Sequence, residues 1–371
     1  MTWTYEEIDR DWLGGSRIAV TPDEVVAAFV RCERMLGRGW IDSAKNNAKG
    51  SVPTLAVVAM GQQLVFIEDV PEPQRLIDKL RDRDRSASAE LRAIYLLRSR
   101  EPTRVELEPA VSVSGRDRKC DFRIQRQSEP WTYVEVTQPD TSDAQARVES
   151  LLGSITAIVQ AIKKQFALEV FLRREPNTDE TDPLLVSILE FCSAERAGDG
   201  AALQQELQAG LGTLFLNQHA VGQVVIDNHG EQPVPRLGAA RGVVGPGEPS
   251  RHVAVRVPYS DARAEQFLTT EARQLPTDAP GLIMIEMGRA PGGFRTWEPL
   301  LRRRFQPAMH TRVGGVYLFT SGLNPTPQGE ALLFETKLIT NTHARMPLPG
   351  WIETSCAAIH EESEARTRTG S

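Results

Sequence analysis

The stretch Lys119-Cys-Asp-Phe-Arg-Ile124, followed after a turn by Trp131-Thr-Tyr-Val-Glu-Val-Thr-Gln-Pro139, decides the fold. Both runs alternate like half-buried strands, and each carries an acid inside the alternation, where strands usually avoid one. Cys120, Phe122 and Ile124 share one face of the first run, and Lys119, Asp121 and Arg123 share the other. In the second run Val134 and Val136 point one way, while Tyr133, Glu135 and Thr137 point the opposite way. Paired as a hairpin, the runs place Asp121 and Glu135 on a common face. Two carboxylates held there repel unless a cation, a shared proton or a basic neighbour joins them.

Working outward, residues 87–98 form an amphipathic helix capped by Ser86, with Ala87, Ile94 and Leu97 in its apolar stripe. Glu90 falls within that stripe, and a glutamate on a buried face is costly unless paired. Residues 105–113 are extended, 142–166 form a long amphipathic helix, and 167–172 return as a strand. The local order is therefore helix, three strands, helix, strand.

Upstream, Thr21-Pro-Asp-Glu24 is a capping box that starts a helix stopping at Gly37. Residues 51–59 and 63–68 read as a hairpin turning at Met60-Gly61, and 74–83 as a short helix. Downstream, 182–210 is helical with a break near Gly198, followed by strands at 222–227 and 236–244 and a linker at 245–250. Alternating periods then predict a second α/β lobe: strand 252–257, helix 262–275, strand 281–287, helix 297–305, and strands 313–319 and 331–339. Five regions result: 1–83 accessory, 84–176 core, 177–250 connector, 251–350 C-terminal lobe, and a polar tail at 351–371.

Composition narrows the function classes. The 43 Lys and Arg against 49 Asp and Glu give a formal charge of −6, which argues against a generally basic nucleic-acid coat protein but leaves room for a local basic groove. Four cysteines without a CxxC suit a reducing cytoplasm and give no zinc site. No apolar run reaches the length of a membrane span, and the acidic N-terminus lacks a signal peptide's apolar core, so a cytoplasmic protein with no membrane partner is expected.

A helical Glu, a strand Asp and a Glu on the next strand, in this order of elements, resemble the restriction-endonuclease-like PD-(D/E)XK nuclease superfamily. Glu90 matches the helical acid, Asp121 the strand acid and Glu135 the first position of Glu-x-Lys. The resemblance covers residues 84–174 and implies an α/β fold with a mixed-sheet αβββαβ core. It also implies Mg²⁺ or Mn²⁺ held by Asp121, Glu135 and Glu90, hydrolysis of phosphodiesters, and a nucleic-acid partner, DNA first. The family's lysine position is Thr137, so the missing cation is expected from Lys119. Arg116, Arg118, Arg123 and Arg126 are the expected phosphate contacts.

Two other readings stay open: a catalytically silent nuclease fold that binds nucleic acid, and a protein-interaction or homo-oligomer role through the C-terminal lobe. The plain alternative for Asp121 is a strand-edge acid paired with Arg123 or Lys119.

Overall fold

The computed structural model describes residues 3–45, 48–99, 102–113, 116–139, 143–194, 203–217, 236–243, 250–258, 263–288 and 293–353. Two units divide the chain. The first comprises Met1–Pro139, Arg263–Gly288 and Trp297–Ser371, and the second Asp140–Ala262 and Arg289–Thr296. The class is α/β with mixed sheets.

The first unit opens with helices α1 (Tyr5–Ile8), α2 (Pro22–Leu36), α3 (Arg38–Ala44), α4 (Ser51–Leu64), α5 (Gln74–Arg81) and α6 (Arg85–Arg98). The capping box at Thr21 forms as read: Thr21 Oγ1 accepts from Glu24 N–H, Glu24 accepts from Thr21 N–H, and Pro22 takes the first helical position. For α6 the cap is Asp84, which accepts from the N–H groups of Ser86 and Ala87.

The hairpin expected over 51–68 is instead α4 and a short 3₁₀ turn, Val65–Ile67. Leu55, Val57, Val58, Leu64 and Ile67 are all buried, so the segment is apolar nearly all round and carries no distinguishing period. The supposed turn residue Gly61 marks a close helix crossing. A Cβ there would stand 2.5 Å from the Ala28 carbonyl oxygen of α2.

After α6 come β1 (Arg104–Leu107), β2 (Ala110–Val113), β3 (Arg116–Lys119), β4 (Phe122–Gln125) and β5 (Thr132–Thr137). The extended segment read over 105–113 breaks at Glu108, whose φ is 46°, and Pro109. β2 and β3 pair with each other as a two-stranded ribbon, while β1, β4 and β5 form an antiparallel meander.

The second unit contains α7 (Asp143–Val159), β6 (Phe166–Leu172), α8 (Thr178–Ser193), β7 (Leu203–Glu206), β8 (Gly212–Asn217), β9 (Arg236–Val243) and β10 (Arg251–Pro258). Its sheet order is β7-β8-β6-β10-β9, with its own core of residues from α7, α8 and the strands. Buried Arg251 donates to the carbonyls of Gln160 and Ile162 just past α7, where the helix end leaves acceptors unserved. β7 is a strand where a helix was expected. The expected strand at 222–227 and the linker at 245–249 lie outside the described residues.

The chain then returns to the first unit with α9 (Arg263–Glu271), β11 (Gly281–Glu286), α10 (Gly293–Arg304, in this unit from Trp297 onward), β12 (Gly315–Thr326) and β13 (Gly329–Thr340). Its six-stranded sheet runs β1-β4-β5-β11-β12-β13, with β11 parallel to both β5 and β12.

Two expectations are corrected here. The helix and strand that follow the meander in its own sheet are α9 and β11, not α7 and β6, which build the second unit. Nor does 251–350 form a separate lobe: β10 joins the second unit, and the remainder extends the first unit's sheet. Periodicity identifies a strand but says nothing about which sheet receives it.

One face of the six-stranded sheet, with Phe122, Ile124, Val134, Leu282, Met284, Tyr317 and Phe319, packs into the core of the N-terminal helices. On the opposite face Glu135 stands beside its register partner Ile283, and α9 lies along β5. Among the described residues no helix is long and apolar enough to cross a membrane.

The helix crossing gives a stability test. Gly61→Ala should lower the free energy of unfolding by about 1–3 kcal/mol in denaturant titration, because backbone and not a flexible side chain must move. Gly153→Ala in α7, where an added Cβ meets nothing within 4 Å, should instead stabilise by about 0.5–1 kcal/mol.

Candidate active site in the first unit

Strand pairing brings the two acids together. β4 and β5 register as Ile124↔Thr132, Arg123↔Tyr133 and Phe122↔Val134, so one step further Asp121 stands opposite Glu135. Asp121 precedes β4, and its Oδ2 accepts the Val136 N–H at 2.7 Å. Its carbonyl accepts the Glu108 N–H at 2.8 Å, which holds it from the other side. The hairpin geometry read from alternation therefore forms.

Glu135 is only 2 % exposed, and Glu90 on α6 only 7 %. Burial, and then the charge of Asp121, pushes the Glu135 carboxyl up to about 9. The same two causes, in the same order, push Glu90 up to about 8. Asp121 is raised by burial, against the pull of the Val136 N–H and the positive charge of Lys79. The two acids share a hydrogen bond that lowers Asp121 and raises Glu135, which favours a shared proton on the Glu135 side of the pair.

The sequence reading missed two residues, both from the α9 segment. Gln274 donates to Glu271 Oε2 at 2.9 Å and to Glu135 Oε2 at 3.3 Å. Glu271, raised by burial and further by the charge of Asp121, accepts from the Thr137 hydroxyl, and its own charge raises Glu135. Thr137, at the family's lysine position, thus holds a fourth acid in place. A helix was legible over 262–275, but nothing local ties it to a strand more than a hundred residues earlier. Cys120 donates its thiol to the Gln274 carbonyl at 3.3 Å and also hydrogen-bonds Glu135, and burial pushes it up, so it stays a neutral thiol and a weak donor to the acid pair.

The expected cations are placed differently. Lys119 lies on β3, in the ribbon and not in the strand of Asp121, and its Nζ contacts Glu108 at 3.1 Å. The strand break at residues 120–121 ends the alternation that set Lys119 beside Asp121. The cation whose charge lowers both Asp121 and Glu90 is Lys79 of α5. Arg123 is bound to Glu106 at 3.0 Å and to the Tyr133 hydroxyl at 3.1 Å, with its guanidinium 4.5 Å above the Trp131 ring. Arg118 is half-buried on β3, Arg126 half-buried just after β4, and the side chain of Arg116 lies outside the described residues.

Glu135 Oε1 is buried and receives no N–H or hydroxyl donor. Two things can satisfy such an oxygen beside a second carboxylate: a proton held by the pair, or a cation. Among the described residues no three His, Cys, Asp or Glu side chains stand close enough to hold an ion by themselves. Asp121 and Glu135 alone still fit magnesium, which commonly takes one or two carboxylates and completes its shell with waters and substrate phosphate. Glu90 feels the charge of Asp121 and is not a third member of one compact set.

The raised carboxyls predict an inverted pH dependence. An unfolded glutamate loses its proton near 4.5, while native Glu135 and Glu90 keep theirs to about 9 and about 8. Their stabilisation is full below the unfolded value and is lost as pH rises through the native ones, by up to about 1.4 kcal/mol per pH unit per group. Thermal denaturation in chelator should therefore show a midpoint falling between pH 6 and 9. Glu135→Gln, a neutral isostere, should flatten that fall; an unchanged slope would mean that Glu135 is ionised at neutral pH. Neither a protein-family model nor a curated protein matches the chain.

Proposed function

We propose that the first unit is a divalent-cation-dependent nuclease of restriction-endonuclease-like design, hydrolysing phosphodiesters of nucleic acid. The observation that carries the reading is the opposed pair Asp121 and Glu135, buried side by side, with a Glu135 oxygen that no N–H or hydroxyl reaches. Support also comes from the order of elements: α6, the antiparallel meander β1-β4-β5, then α9 and the parallel strand β11. Leaving aside the β2-β3 ribbon, that order is compatible with the αβββαβ arrangement the sequence resemblance implies, with the second unit inserted between β5 and α9.

Asp121 and Glu135 would hold Mg²⁺ or Mn²⁺. When bound, the ion polarises a phosphodiester and lowers the pKa of a water. The residues divide the remaining work. Glu135 gives up the proton it shares with Asp121, so that both carboxylates are free to bind. Val136 N–H fixes the orientation of Asp121, and Gln274 fixes that of Glu135. Lys79 supplies the positive charge near Glu90 and Asp121 that Thr137 cannot provide. Glu90, protonated below its raised pKa of about 8, is suited to hold a water by hydrogen bonding.

The test has two readouts. In 10-fold steps of Mg²⁺ or Mn²⁺ at pH 8, the thermal midpoint should rise, by an amount that follows about 2.7 kcal/mol at 100 times the dissociation constant. Cleavage of single- and double-stranded DNA and RNA should accompany it. Glu135→Gln should lose both, with at least about 100-fold less cleavage. Lys79→Met should keep the metal-induced shift and lose cleavage. Binding of nucleic acid without cleavage in either metal would identify a silent module, the reading favoured by Thr137 in place of lysine. Absence of binding as well would remove both.

A further inference from the structure

Beside the acid pair, the first unit carries a cleft of about 980 Å³, and Glu90 is one of its lining residues. On its wall a single carboxylate, Glu108, is clasped by three cations. Arg75 hydrogen-bonds it, the Lys119 ammonium stands 3.1 Å from Oε2, and the Lys79 ammonium 3.9 Å from Oε1. The three cations come from two separate pieces of chain, α5 and β3, and close on the turn between β1 and β2.

This arrangement is unbalanced. One carboxylate neutralises one of three positive charges, and such an excess in a cleft focuses the field toward anions. The other acids of the cleft do not restore the balance. Glu106 is bound to Arg123 and Asp69 to Arg98, while Glu72 and Glu90 are set against Arg104, so positive charge still exceeds negative. Glu108 is also held in an unusual way. Its φ of 46° is in the left-handed region that a glutamate seldom adopts, and its N–H is committed to the Asp121 carbonyl. The backbone bond fixes Glu108 beside Asp121 while leaving the side chain to reach the cations. A carboxylate inside a ring of Arg and Lys presents the oxygens that such a ring takes from a phosphate.

We propose that Arg75, Lys79 and Lys119 form a phosphate-binding site of the cleft, and that the Glu108 carboxylate is an internal stand-in which an incoming phosphate group displaces. The proposal deepens the nuclease reading, because it places a strand phosphate next to Asp121 through the Glu108 backbone. The site itself needs no cleavage. The ligand chemistry is a phosphate group, either on a nucleic-acid strand or on a small phosphorylated compound. Trp131, in the same cleft, gives a strand a surface for base stacking.

The experiment compares the full-length protein with Glu108→Gln, Glu72→Gln, Lys119→Ala and the double variant Glu108→Gln/Lys119→Ala, all in chelator so that cleavage plays no part. Glu72 lines the same cleft, so Glu72→Gln makes the same charge change without touching the clasp. A fluorescent 20-nucleotide single strand is titrated from low to moderate salt, and inorganic pyrophosphate is used as a competitor.

Glu108→Gln should bind the strand about five- to tenfold more tightly than the native chain, well beyond Glu72→Gln. Lys119→Ala should weaken binding and reduce the log–log salt slope by about 0.7. In the double variant the gain from Glu108→Gln should shrink, since stand-in and cation act on one site. Pyrophosphate should compete in the native chain and more strongly against Glu108→Gln. Equal effects of Glu108→Gln and Glu72→Gln would overturn the proposal by reducing it to general charge. So would strict additivity in the double variant, or binding of neither strand nor pyrophosphate. Binding of pyrophosphate alone would keep the phosphate site and assign it to a small compound, which counts against the nuclease reading. Strand binding with this pattern, in a chain that never cleaves, would keep the site and fail the nuclease.

Discussion

Two carboxyl groups opposite each other in adjacent strands are the constraint on which the site depends. At such range both cannot be ionised in a buried setting without a positive partner. Here burial and mutual repulsion favour a proton shared by the pair, on the Glu135 side, and the backbone N–H of Val136 stabilises the charge that remains. On the proposed reading a cation would replace that proton, and the exchange would depend on pH because binding must release it. The rest of the sheet serves this pair. Val134 and Phe122 anchor the opposite faces of the same two residues' strands in the helical core, which removes the freedom of the carboxyls to separate.

How much of this was legible follows the range of the interactions. The pairing of Asp121 with Glu135 depends on a period of two and a short turn, so alternation alone revealed it. Glu90 was legible because it interrupts an apolar stripe. Glu271 and Gln274 were not, since Gln274 and Glu135 are 139 residues apart and meet only after the second unit has been completed. The helix and strand that directly follow β5, α7 and β6, have the right local pattern for the core and belong to another sheet, because strand identity is local and strand pairing is not. Lys119 was misplaced for a smaller reason. The alternation is broken between β3 and β4, and two residues of non-strand backbone redirected its side chain to Glu108. The error over 51–68 is of a third kind, where β-branched residues in a helix that is apolar nearly all round imitate a strand.

Inserting a whole unit between β5 and α9 is less disruptive than its length suggests. Loop-closure entropy rises only with the logarithm of length, by about 0.6 kcal/mol per doubling. The inserted segment also has a sheet and a core of its own, so its order does not depend on the acids. The first unit, by contrast, needs α9 for its site: without it, Glu135 loses the amide of Gln274, and Thr137 loses the acid it binds.

The distribution of charge around Asp121 has a direction. On one side stand acids without enough cations: Glu135, Glu271 and Asp121 itself, kept tolerable by a shared proton. On the other, reached through the cleft that Glu90 lines, stand three cations on one acid. Lys79 belongs to both, since it contacts Glu108 and its charge lowers Asp121 and Glu90. Direct neutralisation of one excess by the other would need the acids to leave the sheet, and Asp121 is held there by Val136 on its carboxylate and Glu108 on its carbonyl. Backbone hydrogen bonds thus keep the two excesses apart. On the proposed reading a cation would satisfy the first and a phosphate the second, and a metal-bound phosphodiester is a single ligand that would carry both.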